Sequence, residues 1–177
     1  MIEKILFVYR YWLAKLIYRD QLKTGGFFFI EKDVVFHLSR GGRMHIGKGV
    51  YIRKGTVLEC GPKGVIEIGE KSVLGYYAWI GSLNRVTVGK NCLIGSKVDI
   101  MDSKHKMEKG SPIRDQGYVC GKTVIGDDCL IGTKTSVFLN VAVGTGTIIG
   151  SNSVVLNNLP ENVVAAGIPA RIIKDRV

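Results

Sequence analysis

Among the side chains that could do acid–base chemistry, His105 stands apart by its surroundings, the stretch Met101-Asp102-Ser103-Lys104-His105. A neutral imidazole can take a proton from a hydroxyl near pH 7. Asp102, three residues earlier, is of a type that can orient such a ring or bind an acceptor. The plain alternative is a solvated loop histidine beside an exposed acid. The other histidines, His37 and His45, lie near the chain start. Cys60, Cys92, Cys120 and Cys129 form no CxxC pair and have no histidine at ligand spacing, so neither a zinc site nor a redox motif is expected, and a reducing compartment fits.

His105 falls in an interruption of a repeat. An aliphatic residue, usually followed by Gly, returns every six residues: Ile46, Ile52 and Leu58, then Ile68, Leu74 and Ile80, then Val88, Ile94 and Ile100. After a break it runs on as Ile125, Ile131, Val137, Val143, Ile149 and Val155. Four residues after most of these aliphatics stands a small residue, among them Val50, Thr56, Ser72, Cys92, Cys129, Thr135, Thr147 and Ser153. A unit of one aliphatic, one Gly free to take unusual dihedrals and one small residue suits a short strand ending in a tight corner. Three units close one triangular coil, and each coil buries its face against the next. Cys92 and Cys129 then read as small core residues.

The residues between Ile100 and Ile125 exceed what a coil holds and must loop out, at about 101–121, where function concentrates on a rigid scaffold. A smaller irregular step, Ser82-Leu83-Asn84-Arg85, comes about one coil earlier, which makes Asn84 and Arg85 acceptor-binding candidates beside the same loop. A solvated turn is their alternative reading.

Ahead of the repeat, residues 1–24 carry Ile2, Ile5, Leu6, Tyr9, Leu13, Leu16 and Ile17 at helical spacing, with Lys4, Arg10, Lys15 and Arg19 interrupting them. That pattern predicts a short amphipathic helix, neither signal peptide nor spanning segment. It either caps the end of the solenoid or touches a membrane surface, with Trp12 and Tyr18 at the interface. Residues 25–177 form the second unit.

The net charge is +10 and the pI about 9.5, which implies an anionic partner: a phosphorylated cofactor, a membrane surface or nucleic acid. No zinc-finger spacing, aromatic RNA-binding run or helix-turn-helix signal accompanies the charge, so no nucleic-acid partner is expected.

The Ile-Gly hexads, the His-bearing insertion and the tail Val164-Ala165-Ala166-Gly167-Ile168-Pro169-Ala170-Arg171 resemble the hexapeptide-repeat acyltransferases over roughly residues 46 to 174. Within that family the chain looks most like the O-acetyltransferases of lipopolysaccharide and capsule biosynthesis. The resemblance implies an all-β, left-handed parallel β-helix and a homotrimer. It implies acetyl transfer from acetyl-CoA to a sugar hydroxyl in the cytoplasm, without a metal, with His105 as general base and Asp102 beside it. The family's Asp-His-x-His loop stands here as Asp102-Ser103-Lys104-His105, so Ser103 replaces its first histidine. The resemblance further implies an oxyanion donor near Gly132-Thr133. Thr133, Ser151 and Asn157 would line the pantetheine arm, and Arg171 and Lys174 would sit near the nucleotide.

Three other readings accompany this one. N-acetylation of a nucleotide-linked amino sugar uses the same fold. A zinc protein like the γ-class carbonic anhydrases would use His37, His45 and His105, but their spacing departs from that family's His-x4-His pattern. A purely structural β-helix would need neither His105 nor the basic tail.

Overall fold

The computed structural model describes residues 2–177; Met1 and the side chain of Ile2 lie outside the described residues. The chain winds as a left-handed parallel β-helix of triangular section, walled by three sheets. The first contains Leu22–Thr24, Arg43–Ile46, Val65–Ile68, Arg85–Val88, Lys122–Ile125 and Ala142–Val143. The second begins with Phe29–Ile30, Tyr51–Ile52, Val73–Leu74 and Leu93–Ile94. It continues with Leu130–Ile131, Ile148–Ile149 and Val163–Gly167, and closes on the antiparallel strand Ala170–Asp175. The third contains Val35–Leu38, Val57–Cys60, Trp79–Ser82, Asp99–Met101, Ser136–Val137 and Val154–Val155.

Registry follows the hexads. Ile68 pairs with Val88 and Val88 with Ile125, Leu74 with Ile94 and Ile94 with Ile131, Ile80 with Ile100 and Ile100 with Val137. Every aliphatic of the repeat is buried, and burying each such side chain contributes about 1.5–3 kcal/mol. The small residues are buried too, and those with hydroxyls or thiols find backbone acceptors. Thr56 Oγ1 donates to Gly75 O at 2.9 Å, Ser72 Oγ to Gly89 O at 2.7 Å, and Cys92 Sγ to Gly126 O at 3.0 Å. Corners with a hydroxyl or thiol, such as these three, are thus bound to the neighbouring coil through a short side chain, and no buried polar side-chain atom among the described residues lacks a partner.

The hexad glycines are there for a different reason than conformational freedom. The left-handed backbone falls two residues later in each unit, at Lys71, Tyr77, Asn91, Lys97, Asp128 and Lys134. The glycine instead lies against the next coil: a Cβ on Gly75 would come within 2.5 Å of the Gly95 carbonyl carbon. Close stacking of backbone on backbone excludes a side chain there.

The solenoid also starts earlier than the repeat shows. Leu22 pairs with Met44, so a full coil precedes Ile46, and the first strand falls inside the segment assigned to the helix by sequence. Leu22, Phe28 and Ile30 fill its core. The helix, Ile2–Ile17, caps this end, but not with the stripe that the sequence singles out. Tyr11 and Ala14 are buried among its described side chains, and Tyr11 packs its ring against Phe27 and Phe28. Ile5, Tyr9, Trp12, Leu16 and Ile17 face outward, Trp12 at 62% and Leu16 at 74% exposure. The aromatic cluster at Phe27–Phe29 selects the aromatic stripe of the helix and leaves the aliphatic one uncovered.

Candidate active site

All the irregular turns stack on one edge of the prism, between the third sheet and the first: Ser39–Gly42, Gly61–Gly64, Leu83–Asn84 and the insertion after Met101. The insertion is a β-hairpin arm. Ser103–His105 pairs antiparallel with Tyr118–Cys120, and a 3-10 turn at Ile113–Asp115 lies between them. His105 sits opposite Tyr118, exposed, with the two ring centroids 4.4 Å apart. An exposed imidazole on a hydrogen-bonded strand can meet a substrate without first being uncovered.

Asp102 is neither the exposed acid nor the partner of His105. It is fully buried, and both carboxylate oxygens are engaged by the preceding coil. Ser82 Oγ donates to Oδ2 at 2.7 Å, Leu83 N–H to Oδ1 at 2.8 Å and Asn84 N–H to Oδ2 at 2.8 Å. Three donors converging on one carboxylate offset the cost of burying it. Asp102 therefore fixes the root of the hairpin, and none of its hydrogen bonds goes to His105.

Asn84 does the same from the other side, donating through Nδ2 to Gly121 O at 2.8 Å. Arg85 turns onto the first sheet, where Nη1 meets Glu67 Oε2 at 2.9 Å in a cleft with Lys23, Arg43 and His45. That cleft contains no hairpin residue, so the geometry does not seat Arg85 beside His105. The inserted step led the sequence reading to expect a projecting loop, whereas the Asp102 carboxylate draws it inward.

On the second sheet the outward residues form a column: Phe29, Tyr51, Val73, Leu93, Leu130, Ile148, Val164 and finally Lys174. Beside it runs a groove of about 470 Å³, floored by Val73, Leu93 and Leu130 and edged by Gly95, Gly132, Thr133 and Ser151. Sequence reasoning missed Arg53 and Tyr76, which close its far end, because neither belongs to the hexad signature. Arg53 stacks over the rings of Tyr51 and Tyr76.

The tail places its cations on the strand that closes the same sheet, beyond the residues that line the groove. Arg171 pairs with Ala166 and Lys174 with Val164, both on the last strand of the second sheet. Asn157 lies elsewhere: it follows Val154–Val155 on the opposite edge and does not line the groove, because the last hexad turns the chain toward the first sheet before reaching it. Gly132 N–H is engaged by Ile149 O at 2.7 Å and is not free to meet an oxyanion. Thr133 N–H has no such acceptor among the described residues, and Gly95 leaves it open, since a Cβ there would come within 2.7 Å of it.

His105 and the groove occupy different corners of the triangular section. His37 and His45 lie on the third and first sheets, and no group of three possible metal ligands converges among the described residues. Burial pushes Cys60 up, and the Cys92 thiol beside Cys129, together with burial, pushes Cys129 far above the ordinary thiol range.

No protein-family model matches the chain. Among curated proteins it is similar to an acetyltransferase of Mycobacterium tuberculosis, 30% identical over 174 residues that cover 96% of this chain and 58% of that one. It is also similar to WbbJ of Escherichia coli K12, named as a lipopolysaccharide biosynthesis O-acetyl transferase, at 32% identity over 88% of this chain and 85% of the relative. Among solved structures, AntD, an N-acyltransferase from Bacillus cereus in complex with dTDP and coenzyme A, shares the fold. Its TM-score is 0.79 at 22% identity, over 93% of this chain and 89% of that one. With a hexad-built parallel β-helix and a relative matched over most of both chains, this protein belongs to the hexapeptide-repeat acetyltransferases.

Proposed function

We propose that the protein transfers an acetyl group from acetyl-CoA to a sugar hydroxyl in surface-polysaccharide biosynthesis, with His105 as general base. One observation carries the reading: an apolar groove on the second sheet, lined as far as Ser151, on a sheet whose closing strand carries Arg171 and Lys174. Such a groove suits a long apolar pantetheine arm whose far end carries phosphates. AntD is complexed with coenzyme A, and WbbJ is named as an O-acetyl transferase of lipopolysaccharide biosynthesis, which supports the same assignment.

In this scheme His105 takes the acceptor hydroxyl proton as the oxygen bonds to the thioester carbonyl carbon. The oxyanion that forms meets Thr133 N–H. When the C–S bond breaks, His105 returns the proton to the departing thiolate, leaving an acetyl ester and a thiol. Because His105 and the groove stand at different corners, one copy's hairpin completes its neighbour's groove, and a homotrimer built on the prism's threefold shape supplies each site from two chains.

Mass-spectrometric screening of sugars with acetyl-CoA tests the function: the expected product is heavier by one acetyl group and is cleaved by hydroxylamine as an ester. A hydroxylamine-stable product would instead mark N-acetylation. Mixing subunits carrying His105→Ala with subunits carrying Arg171→Ala and Lys174→Ala, assayed at limiting acetyl-CoA, tests the shared site: activity above the sum of the separate variants is expected only if two chains build it.

No helix among the described residues is long and apolar enough to cross a membrane. Ile5, Tyr9, Trp12 and Leu16 form an uncovered stripe, flanked by Lys4, Lys15 and Arg19 in a chain of net charge +10. Aromatic and aliphatic side chains bordered by cations match an anionic lipid surface, which we take as the partner of this face, at the cytoplasmic side where acetyl-CoA is available.

A further inference from the structure

Beside the hairpin the structure opens a cleft that neither acceptor candidate from the sequence touches. Its volume is about 380 Å³, and Trp79, Tyr118, Glu59, Ser39, Ser103 and Pro62 are among its walls. Trp79 projects outward from the third sheet, between Val57 and Asp99 in register. Its ring lies down over Gly81, where any Cβ would overlap the six-membered ring. Trp79 Nε1 donates to Glu59 Oε2 at 3.2 Å, which holds the ring in that plane. An indole covered on one face by glycine backbone and pinned at its edge presents its other face to the cleft. Tyr118 forms the facing wall and stacks against His105.

Flat aromatic faces carry negative charge density, and the C–H bonds on one face of a pyranose carry the positive complement, while the ring's hydroxyls need polar partners around its rim. Trp79 and Tyr118 supply the first requirement. The Glu59 carboxylate and the Ser39 and Ser103 hydroxyls supply the second. The one aromatic ring touching His105 is also a wall of this cleft, so an occupant in contact with Tyr118 lies one ring away from the imidazole.

We propose that this cleft is the acceptor subsite: a pyranoside stacks on Trp79 and presents a hydroxyl past Tyr118 to His105. The proposal rests on the reading of His105 as the base, but binding in the cleft can be measured without turnover. The chain has two tryptophans, so in a Trp12→Phe background Trp79 is the sole indole. Its emission, titrated without acetyl-CoA against methyl pyranosides of glucose, galactose, mannose and N-acetylglucosamine, should change saturably with at least one of them. Tyr118→Ala and Glu59→Gln should each weaken that binding at least tenfold; Tyr118 is exposed on the hairpin, so its loss leaves the core intact. Gly81→Ala should lift the indole and shift its emission before any sugar is added. No saturable change with any of the four, or unchanged affinity in both the Tyr118 and Glu59 variants, would overturn the assignment. If a pyranoside binds but no acetyl is transferred to any sugar, the enzymatic reading falls while the subsite stands. Acetyl transfer with unchanged acceptor KM in both variants has the opposite meaning.

Discussion

A base must be neutral to accept a proton. His105→Ala should lower turnover by about 10²- to 10⁴-fold, the usual share of general base catalysis, with little change in CoA affinity. Steady-state kinetics on an identified acceptor checks both, and retention of most turnover would remove His105 from the reaction. The thiols offer an independent test of burial. Cys60, Cys92 and Cys129 are buried and Cys120 is exposed on the hairpin, so a thiol reagent should modify one cysteine in the native protein and four after denaturation. At this scale the sequence revealed His105 through its position in a break of the repeat. It hid the work of Asp102, because the three donors that hold it come from a step about twenty residues away, and no spacing rule records that a turn bends inward onto a carboxylate.

The hexads made the strands, their inward residues and the inserted segment readable, since a repeat that buries its face only against its neighbours must keep its period. The first coil escaped because Leu22, Phe28 and Ile30 fill it without the Ile-Gly signature, its base being sealed by the helix and not by another coil. The glycine was seen, but its reason was not: period reveals where a residue recurs, whereas close approach depends on the coil beneath. Gly75→Ala should accordingly destabilise the protein by about 1–3 kcal/mol, the usual cost of overpacking, since the backbone it meets cannot move alone. Thermal unfolding would show it, and an unchanged midpoint would count against backbone contact as the reason for that glycine. On the last strand, Arg171→Ala together with Lys174→Ala should weaken CoA binding by roughly three- to tenfold, the range for solvent-exposed ion pairs, while saturated turnover changes little. Calorimetry with CoA gives the dissociation constant directly.

The prism has unlike ends. One is closed by a helix that turns aliphatic residues outward, the other by an antiparallel strand with basic residues. In a threefold assembly the three helices lie at one end and face the same way, so a planar lipid surface can meet all of them together and weak individual contacts multiply. Sedimentation with anionic vesicles should show binding that falls as salt rises, and Trp12→Ser with Leu16→Ser should reduce it while leaving the buried cap residues Tyr11 and Ala14 in place. Binding to neutral vesicles equal to that to anionic ones would contradict the charge argument.

Coil stacking also makes the molecule a ruler. Strands in one sheet are about 4.8 Å apart, so the hairpin and the terminal cations are separated by a whole number of such steps. Ile125 and Val143 occupy equivalent places eighteen residues apart. Removing residues 126–143 would preserve every inward and outward assignment that follows, bring Gly150 and Ser151 to the level now held by Gly132 and Thr133, and move Arg171 and Lys174 one step nearer to the hairpin. If the groove holds the donor as proposed, the span between hairpin and cations is graduated in coils, and a lineage gaining or losing one turn would change it by a fixed increment while keeping the inward and outward pattern of the repeat.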